Sequence, residues 1–277
     1  MSALPTGSAD PGVQLRLVVD GLTVDFGALR ALDAVSMSAG QGEVVGVIGP
    51  NGAGKTTLFN VISGFVRPKA GTIAYGGTAL GQHQPHDLAR LGIARTLQGV
   101  GLCAGLTVRE NVMLGAQAHL RADAASALLG LWRSSREDRR LAARAVQLLE
   151  QLGIAAEGER LPATLPYAIQ KRTALARALV AEPRLLLLDE PASGLSDEEL
   201  DELATLIRQL SSSLGVVLVE HRMDLVNALC DKVVVLNFGR VIAEGTPAEI
   251  RADDEVATAY LGREVTQGGP SVADAGA

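Results

Sequence analysis

The first patterned stretch begins at Val13, where Leu15, Leu17 and Val19 alternate with their neighbours, and the alternation resumes in the other phase at Leu22, Val24 and Phe26. A period of two marks a strand with one buried face, so the two runs predict strand, turn, strand. Glu43-Val44-Val45-Gly46-Val47-Ile48 is apolar from its second position onward, as a strand buried on both faces must be. The spacing then changes: Leu58, Val61, Ile62 and Phe65 stand at i, i+3, i+4 and i+7 and predict one apolar face of a helix. A short strand at Thr72 to Tyr75 opens a polar connection in which His83 and His86 read as solvated loop residues.

From about Val108 to Gly158 the strand signal disappears and long Ala/Leu/Arg/Glu segments take over. Leu141, Ala145, Leu148, Leu149 and Leu152 recur at helical spacing, and Gly153 is placed to end that helix. Two apolar runs, Arg184 to Asp189 and Gly215 to Glu220, then return with a helical segment between them. That alternation predicts an α/β fold whose sheet is covered by helices on both faces. Val233 to Leu236 and Val241 to Ala243, joined through Asn237-Phe238-Gly239-Arg240, predict a terminal hairpin. The ends, residues 1–12 and 264–277, are rich in small and polar residues without periodicity and are expected to be disordered, leaving 13–263 as one domain.

Composition narrows the field. A chain of 277 residues, 47% hydrophobic and 20% charged, has ample length to bury a core. No apolar run approaches the ~18 to 20 residues of a membrane-spanning helix, and Met1 to Pro5 does not open a signal peptide. Membrane contact is therefore expected to pass through a partner. A net charge of −6 argues against a surface that tracks duplex DNA, so no nucleic-acid partner is expected. Cys103 and Cys230 lack metal-ligand spacing and read as reduced thiols.

The chemistry concentrates between the buried strand and the helix after it. Gly49-Pro50-Asn51-Gly52-Ala53-Gly54-Lys55-Thr56 matches G-x-x-x-x-G-K-[ST], the phosphate-binding P-loop. A glycine-rich turn points backbone N–H groups at a polyphosphate while the helix adds its positive dipole end. Lys55 is expected to reach the β- and γ-phosphates and the Thr56 hydroxyl to ligate Mg²⁺, with Thr57 completing the cradle. Leu185-Leu186-Leu187-Leu188-Asp189-Glu190, an apolar strand ending in two acids, supplies the second half. Asp189 is placed beside the metal and Glu190 one step beyond, where it polarises an attacking water.

Taken in order, these motifs resemble the nucleotide-binding subunits of ATP-binding cassette (ABC) transporters. The series also includes Gln98 in Arg95-Thr96-Leu97-Gln98, a signature-like segment at Leu165 to Gln170, Ser193-Gly194-Leu195-Ser196, and His221 in Val219-Glu220-His221. It runs from about Val13 to Gly262. The resemblance implies a P-loop NTPase core of the ABC ATPase type, with an N-terminal antiparallel β subdomain and an all-helical insertion at about 100–180. It implies ATP and Mg²⁺ as cofactors, Phe26 stacked on adenine, Gln98 at the metal and water, and His221 on the γ-phosphate. Two such subunits would stack head to tail, each nucleotide lying between one P-loop and the other subunit's signature. Leu165, Pro166, Tyr167, Ala168 and Gln170 would thus serve the partner's nucleotide.

Within the family, Gly92 to Gln98, the ending Gly245-Thr246-Pro247 through Ala259-Tyr260-Leu261-Gly262, and the segment around Leu128-Leu129-Gly130-Leu131-Trp132 resemble subunits of branched-chain amino acid importers. That implies permease partners, a second ATPase subunit in a hetero- or homodimer, an indirect link to a solute-binding protein, and a peripheral place on the cytoplasmic face of the membrane. The signature departs from Leu-Ser-Gly-Gly-Gln. Pro166 removes the serine hydroxyl and a backbone donor, and Ala168 puts a methyl where glycine permits close approach. An asymmetric heterodimer is expected, with a competent site on this chain's P-loop and a weak reciprocal one. A regulatory cassette with weak hydrolysis, or an ABC-type ATPase of DNA repair or chromosome organisation, stays open on sequence alone.

Overall fold

The computed structural model describes residues 15–81, 83–96, 99–116 and 132–261, the side chains of 132–138 and 260–261 excepted. Among the described residues, ten strands form two sheets. β1 (Arg16–Phe26), β2 (Leu29–Gly40), β4 (Ala70–Tyr75) and β5 (Thr78–Ala79) make an antiparallel sheet of order β2-β1-β4-β5. The second sheet, of order β10-β9-β3-β8-β7-β6, joins β3 (Val44–Ile48), β6 (Ile93–Arg95), β7 (Leu185–Asp189), β8 (Gly215–Val219), β9 (Lys232–Asn237) and β10 (Arg240–Gly245). It is parallel throughout except for β10, which returns antiparallel on β9.

The residues 16–26 form one strand, not strand, turn, strand. The pairing of β1 with β2 shifts between Val19 and Leu22, and Gly21 adopts φ 59. This bulge moves the side-chain phase by one residue, which brings Leu17, Val19, Leu22 and Val24 to the same buried face.

The period of two in the parallel strands divides the core. Val44, Ile48, Leu186, Leu188, Val216 and Leu218 face one way. They meet residues of α2 (Val108–Leu114), α3 (Trp132–Gln151), α4 (Tyr167–Leu179), α5 (Asp197–Ser211), α6 (Met223–Leu229), α7 (Pro247–Arg251) and α8 (Asp254–Leu261). Val45, Val47, Leu185, Leu187, Val217 and Val219 face the other way, onto Leu58, Phe59 and Ile62 of α1 (Lys55–Ile62) and the buried face of the antiparallel sheet. Helices thus lie on both faces as expected, but on the far side α1 shares the cover with a second sheet.

Between β6 and β7 the described elements are α2, α3, α4 and short 3₁₀ turns, so the insertion is helical as expected. α3 closes with Gly153 at φ 69, whose N–H bonds Glu150 O at 3.0 Å while the Ile154 N–H bonds Leu149 O at 2.8 Å. This is the paired closure that a left-handed glycine permits. Two further expectations fail. Phe65 lies beyond α1, which ends at Ile62 before Gly64 takes φ 73, and its ring is exposed. His83 is half-buried, with Nε2 2.8 Å from Ile62 O and Nδ1 against Leu80 O, whereas His86 is exposed as expected. The expected tails and Leu128 to Leu131 lie outside the described residues, as does the side chain of Trp132.

Candidate active site

Parallel pairing puts the carboxyl ends of β3, β8, β7 and β6 on one edge of the sheet. Asp189 stands abreast of Val219, and Val219 abreast of Val47, two residues before Gly49. The P-loop strand and the strand bearing the two acids are separated only by β8, about 10 Å at ordinary strand spacing. Ligands of open parallel sheets gather at such an edge.

The P-loop glycines are there for space as well as conformation. Gly49 has φ 147, and a Cβ on it would lie 2.1 Å from Leu236 O; Gly54 has φ 107, and a Cβ would lie 2.8 Å from Ala31 O. Lys55 is buried, and its Nζ donates to Gly49 O at 2.6 Å and Pro50 O at 3.0 Å. The lysine therefore runs along the loop it serves. α1 has no side-chain cap and no acid in its first turn, which leaves its first N–H groups for an anion. Asn51, Gly52 and Thr56 are exposed, Pro50 and Thr57 are half-buried, and Ala53 is buried, with its carbonyl accepting the Gly239 N–H at 2.9 Å. Phe26 is 51% exposed at the tip of β1 and pairs with Leu29, two residues before the Ala31 that abuts Gly54. A flat, exposed ring near the cradle suits a base.

Asp189 is buried and bound by a residue that motif reading passed over. Arg95 Nη2 lies 2.9 Å from Asp189 Oδ2, with side-chain exposures of 8% and 3%. Its Nη1 donates to Asn60 Oδ1 and Ser63 Oγ, and its guanidinium lies 5.5 Å from the Phe59 ring centre and 5.9 Å from that of Phe65. The hydroxyl of Thr96 accepts the Asp189 N–H at 3.3 Å. Gln98 lies outside the described residues.

Glu190 adopts φ 48, a left-handed conformation that costs a non-glycine residue about 1–3 kcal/mol and persists only where the surroundings impose it. They do so here. Its N–H bonds Val219 O at 3.0 Å, and Lys171 Nζ donates to Glu190 O at 3.0 Å and Pro191 O at 2.8 Å. Burial holds the Lys171 ammonium below the ordinary lysine range, against the opposing pull of Glu220 and Glu190. Glu220 is wholly buried at the end of β8 and accepts three backbone donors: Ala192 N at 2.8 Å, His221 N at 2.9 Å and Arg222 N at 3.1 Å. The His221 side chain is 56% exposed, with Nδ1 3.8 Å from Glu220 Oε2. A cleft lined by Thr96, Gly99, Lys171, Asp189 and Pro191 lies behind this edge.

The signature segment forms the start of α4, whose N-cap is Pro166. First-turn donors begin at Tyr167, so the missing proline N–H is not one of the helix's own. Neither a side-chain cap nor an acid occupies that end. Leu165 is buried, Pro166 and Tyr167 are exposed and Ala168 is half-buried. The Gln170 amide turns back to donate to Leu165 O at 2.9 Å.

The family model for ABC transporters matches residues 32–193, and one for the branched-chain amino acid ATP-binding cassette transporter matches 240–266. The chain belongs to the ABC transporter family. It is 40% identical over 248 residues to the high-affinity branched-chain amino acid transport ATP-binding protein BraF of Pseudomonas aeruginosa, covering 89% of this chain and 97% of that one. Against LivG of Escherichia coli K12, a protein of the same description, it is 39% identical with the same coverage. A crystal structure of an ABC transporter's ATP-binding cassette in its ADP conformation superposes with a TM-score of 0.78 at 28% identity, covering 90% of this chain and 99% of the other. A nucleotide-free cassette gives a TM-score of 0.77 at 27% identity. This ABC chain is accordingly an ATPase subunit that powers transport. Its motifs were legible locally; Arg95, Lys171 and Glu220 were not. The only signal for them was a charge at the end of an otherwise apolar strand or one turn inside a helix.

Proposed function

We propose that this cassette binds and hydrolyses MgATP at the β3/β7/β8 edge to energise import of branched-chain amino acids or a related small polar solute. The observation that carries the site is the convergence of the Gly49–Thr56 cradle with Asp189, Glu190 and His221 on one sheet edge. The relatives' descriptions and the match at 240–266 support the solute class.

The oxygen donors at the edge suit Mg²⁺, which favours one or two protein oxygens with phosphates and water completing its shell. Asp189 is held firmly by Arg95 through one oxygen, and Thr56 is exposed on the first turn of α1. Those two, with Gln98, would hold the ion, which when bound neutralises charge developing between the β- and γ-phosphates. Lys55 and the α1 N–H groups orient the phosphates, Phe26 stacks on the base, Glu190 polarises the water and His221 contacts the γ-phosphate. Permease subunits and a second ATPase are its partners, with a solute-binding protein acting through the permeases. The complex places this chain peripherally on the cytoplasmic face of the membrane.

Pro166 and Ala168 support asymmetry between the two sites. The α4 N-terminus presents N–H donors, but Pro166 lacks a hydroxyl and Ala168 adds a methyl at the face offered to the partner's nucleotide. A partner with an intact signature completes the strong site on this chain's P-loop. Glu190→Gln should therefore lower turnover of the assembled transporter about 10²- to 10⁴-fold with ATP binding retained, while the equivalent change in the partner costs far less. Equal losses from the two variants refute the asymmetry, and unchanged turnover in Glu190→Gln removes the role of that carboxylate.

A further inference from the structure

The short segment Glu190-Pro191-Ala192 is gripped from two sides by elements distant in sequence. From α4, Lys171 Nζ donates to the carbonyls of Glu190 and Pro191 at 3.0 and 2.8 Å. From the end of β8, the buried Glu220 accepts the Ala192 N–H at 2.8 Å with one oxygen and the N–H groups of His221 and Arg222 with the other. The Ser193 N–H closes the turn on Glu190 O at 3.2 Å. Between these holds Glu190 keeps a backbone conformation that its side chain disfavours.

Lys171 is also part of the surface that α4 offers. Its ammonium lies 5.3 Å from the centre of the Tyr167 ring, one turn earlier. The Tyr167 ring packs so closely on Gly194 that a Cβ there would stand 2.9 Å from it. Tyr167, Lys171 and residues 190–194 are therefore joined by a continuous run of contacts.

We propose that Lys171 is a positioning residue for ATP hydrolysis, holding Glu190 over its own nucleotide and tying that carboxylate to the helix end this chain presents to its partner. The inference rests on the reading of Glu190 as the group that polarises water. Displacing α4 by engagement of its N-terminus shifts the Glu190 carbonyl through one ammonium, so capture of the neighbouring nucleotide is felt at this chain's own site. Glu220 secures the opposite end, and its role demands an acceptor, because all three of its partners are donors.

The test uses the assembled transporter, with Lys171→Met, Lys171→Arg and Glu220→Gln introduced into this chain. Lys171→Met is expected to speed deuterium exchange at residues 190–193 about tenfold and leave 44–56 unchanged. Its kcat falls about ten- to hundredfold with KM for ATP within about twofold, and Lys171→Arg, which keeps two donors, restores both readouts. Glu220→Gln, which sets a donor against a donor, gives the same split and stands in if Lys171→Met does not fold. Unchanged exchange, a parallel loss of affinity and turnover, or failure of arginine to restore them overturns the proposal. Glu190→Gln run alongside separates the two ideas. Turnover that survives it defeats the assignment of Glu190 and the proposal with it, while exchange still shows whether Lys171 holds the segment.

Discussion

Arg95 and Asp189 form an ion pair shielded from solvent on both sides. Two charges withdrawn from water together cost much of what their attraction returns, but removing one alone strands the other. Arg95→Met keeps comparable volume and leaves Asp189 buried without its cation. The expected loss is about 3–5 kcal/mol of stability, read as a fall in the chemical-denaturation midpoint, and a midpoint equal to wild type contradicts this account. The residues that motif reading found share a trait: their chemistry is declared by neighbours in sequence, as in the P-loop. Lys171 and Glu220 act on a segment about 20 to 30 positions away. No local pattern encodes that partnership, so it surfaces only when α4 and β8 are packed.

At the level of elements, helix starts are the best-defined boundaries. Ser196 Oγ accepts the Glu199 N–H and Glu199 Oε2 accepts the Ser196 N–H at 2.8 Å, a reciprocal cap repeated by Thr107 with Glu110 and Thr246 with Glu249. Ser196→Ala is expected to cost about 1 kcal/mol, seen as a lower thermal midpoint, and Ser196→Asp to recover most of it. No change in Ser196→Ala means the cap is idle. Strand interiors were harder to read than helix ends. In β1 the alternation marks the buried face, but its change of phase at Asp20-Gly21 is a bulge, and a bulge and a turn leave the same mark on a hydropathy pattern. Phe65 misled in the opposite way, keeping helical phase after Gly64 had already ended the helix.

At the scale of the whole molecule, surface carboxylates tie separate elements together. Asp25 is held below the usual aspartate range by Lys69 and then Arg30, and Asp33 by Arg240 and then Arg30, which links β2 to β10. The Thr107 and Thr246 backbone donors lower Glu110 and Glu249 likewise. Folded values below the ordinary 3.8 and 4.5 mean that this stability is complete above those values and drains away as pH falls through the folded ones. The thermal midpoint should hold steady down to about pH 5 and then decline, less steeply in high salt. A midpoint that rises on acidification contradicts the assignment.

β3 lies between β8 and β9, so the strand that launches the P-loop finds both neighbours only after residue 215. During synthesis its Val44–Ile48 backbone waits, unpaired on either edge, while some 170 further residues leave the ribosome at about 5–20 per second. Closing contacts so distant in sequence is slow and leaves an apolar edge exposed to aggregation in the interval. The nascent cassette is thus most vulnerable midway through translation, and a ribosome stalled before β9 should hold a chain that proteases cut within the P-loop and that no nucleotide protects.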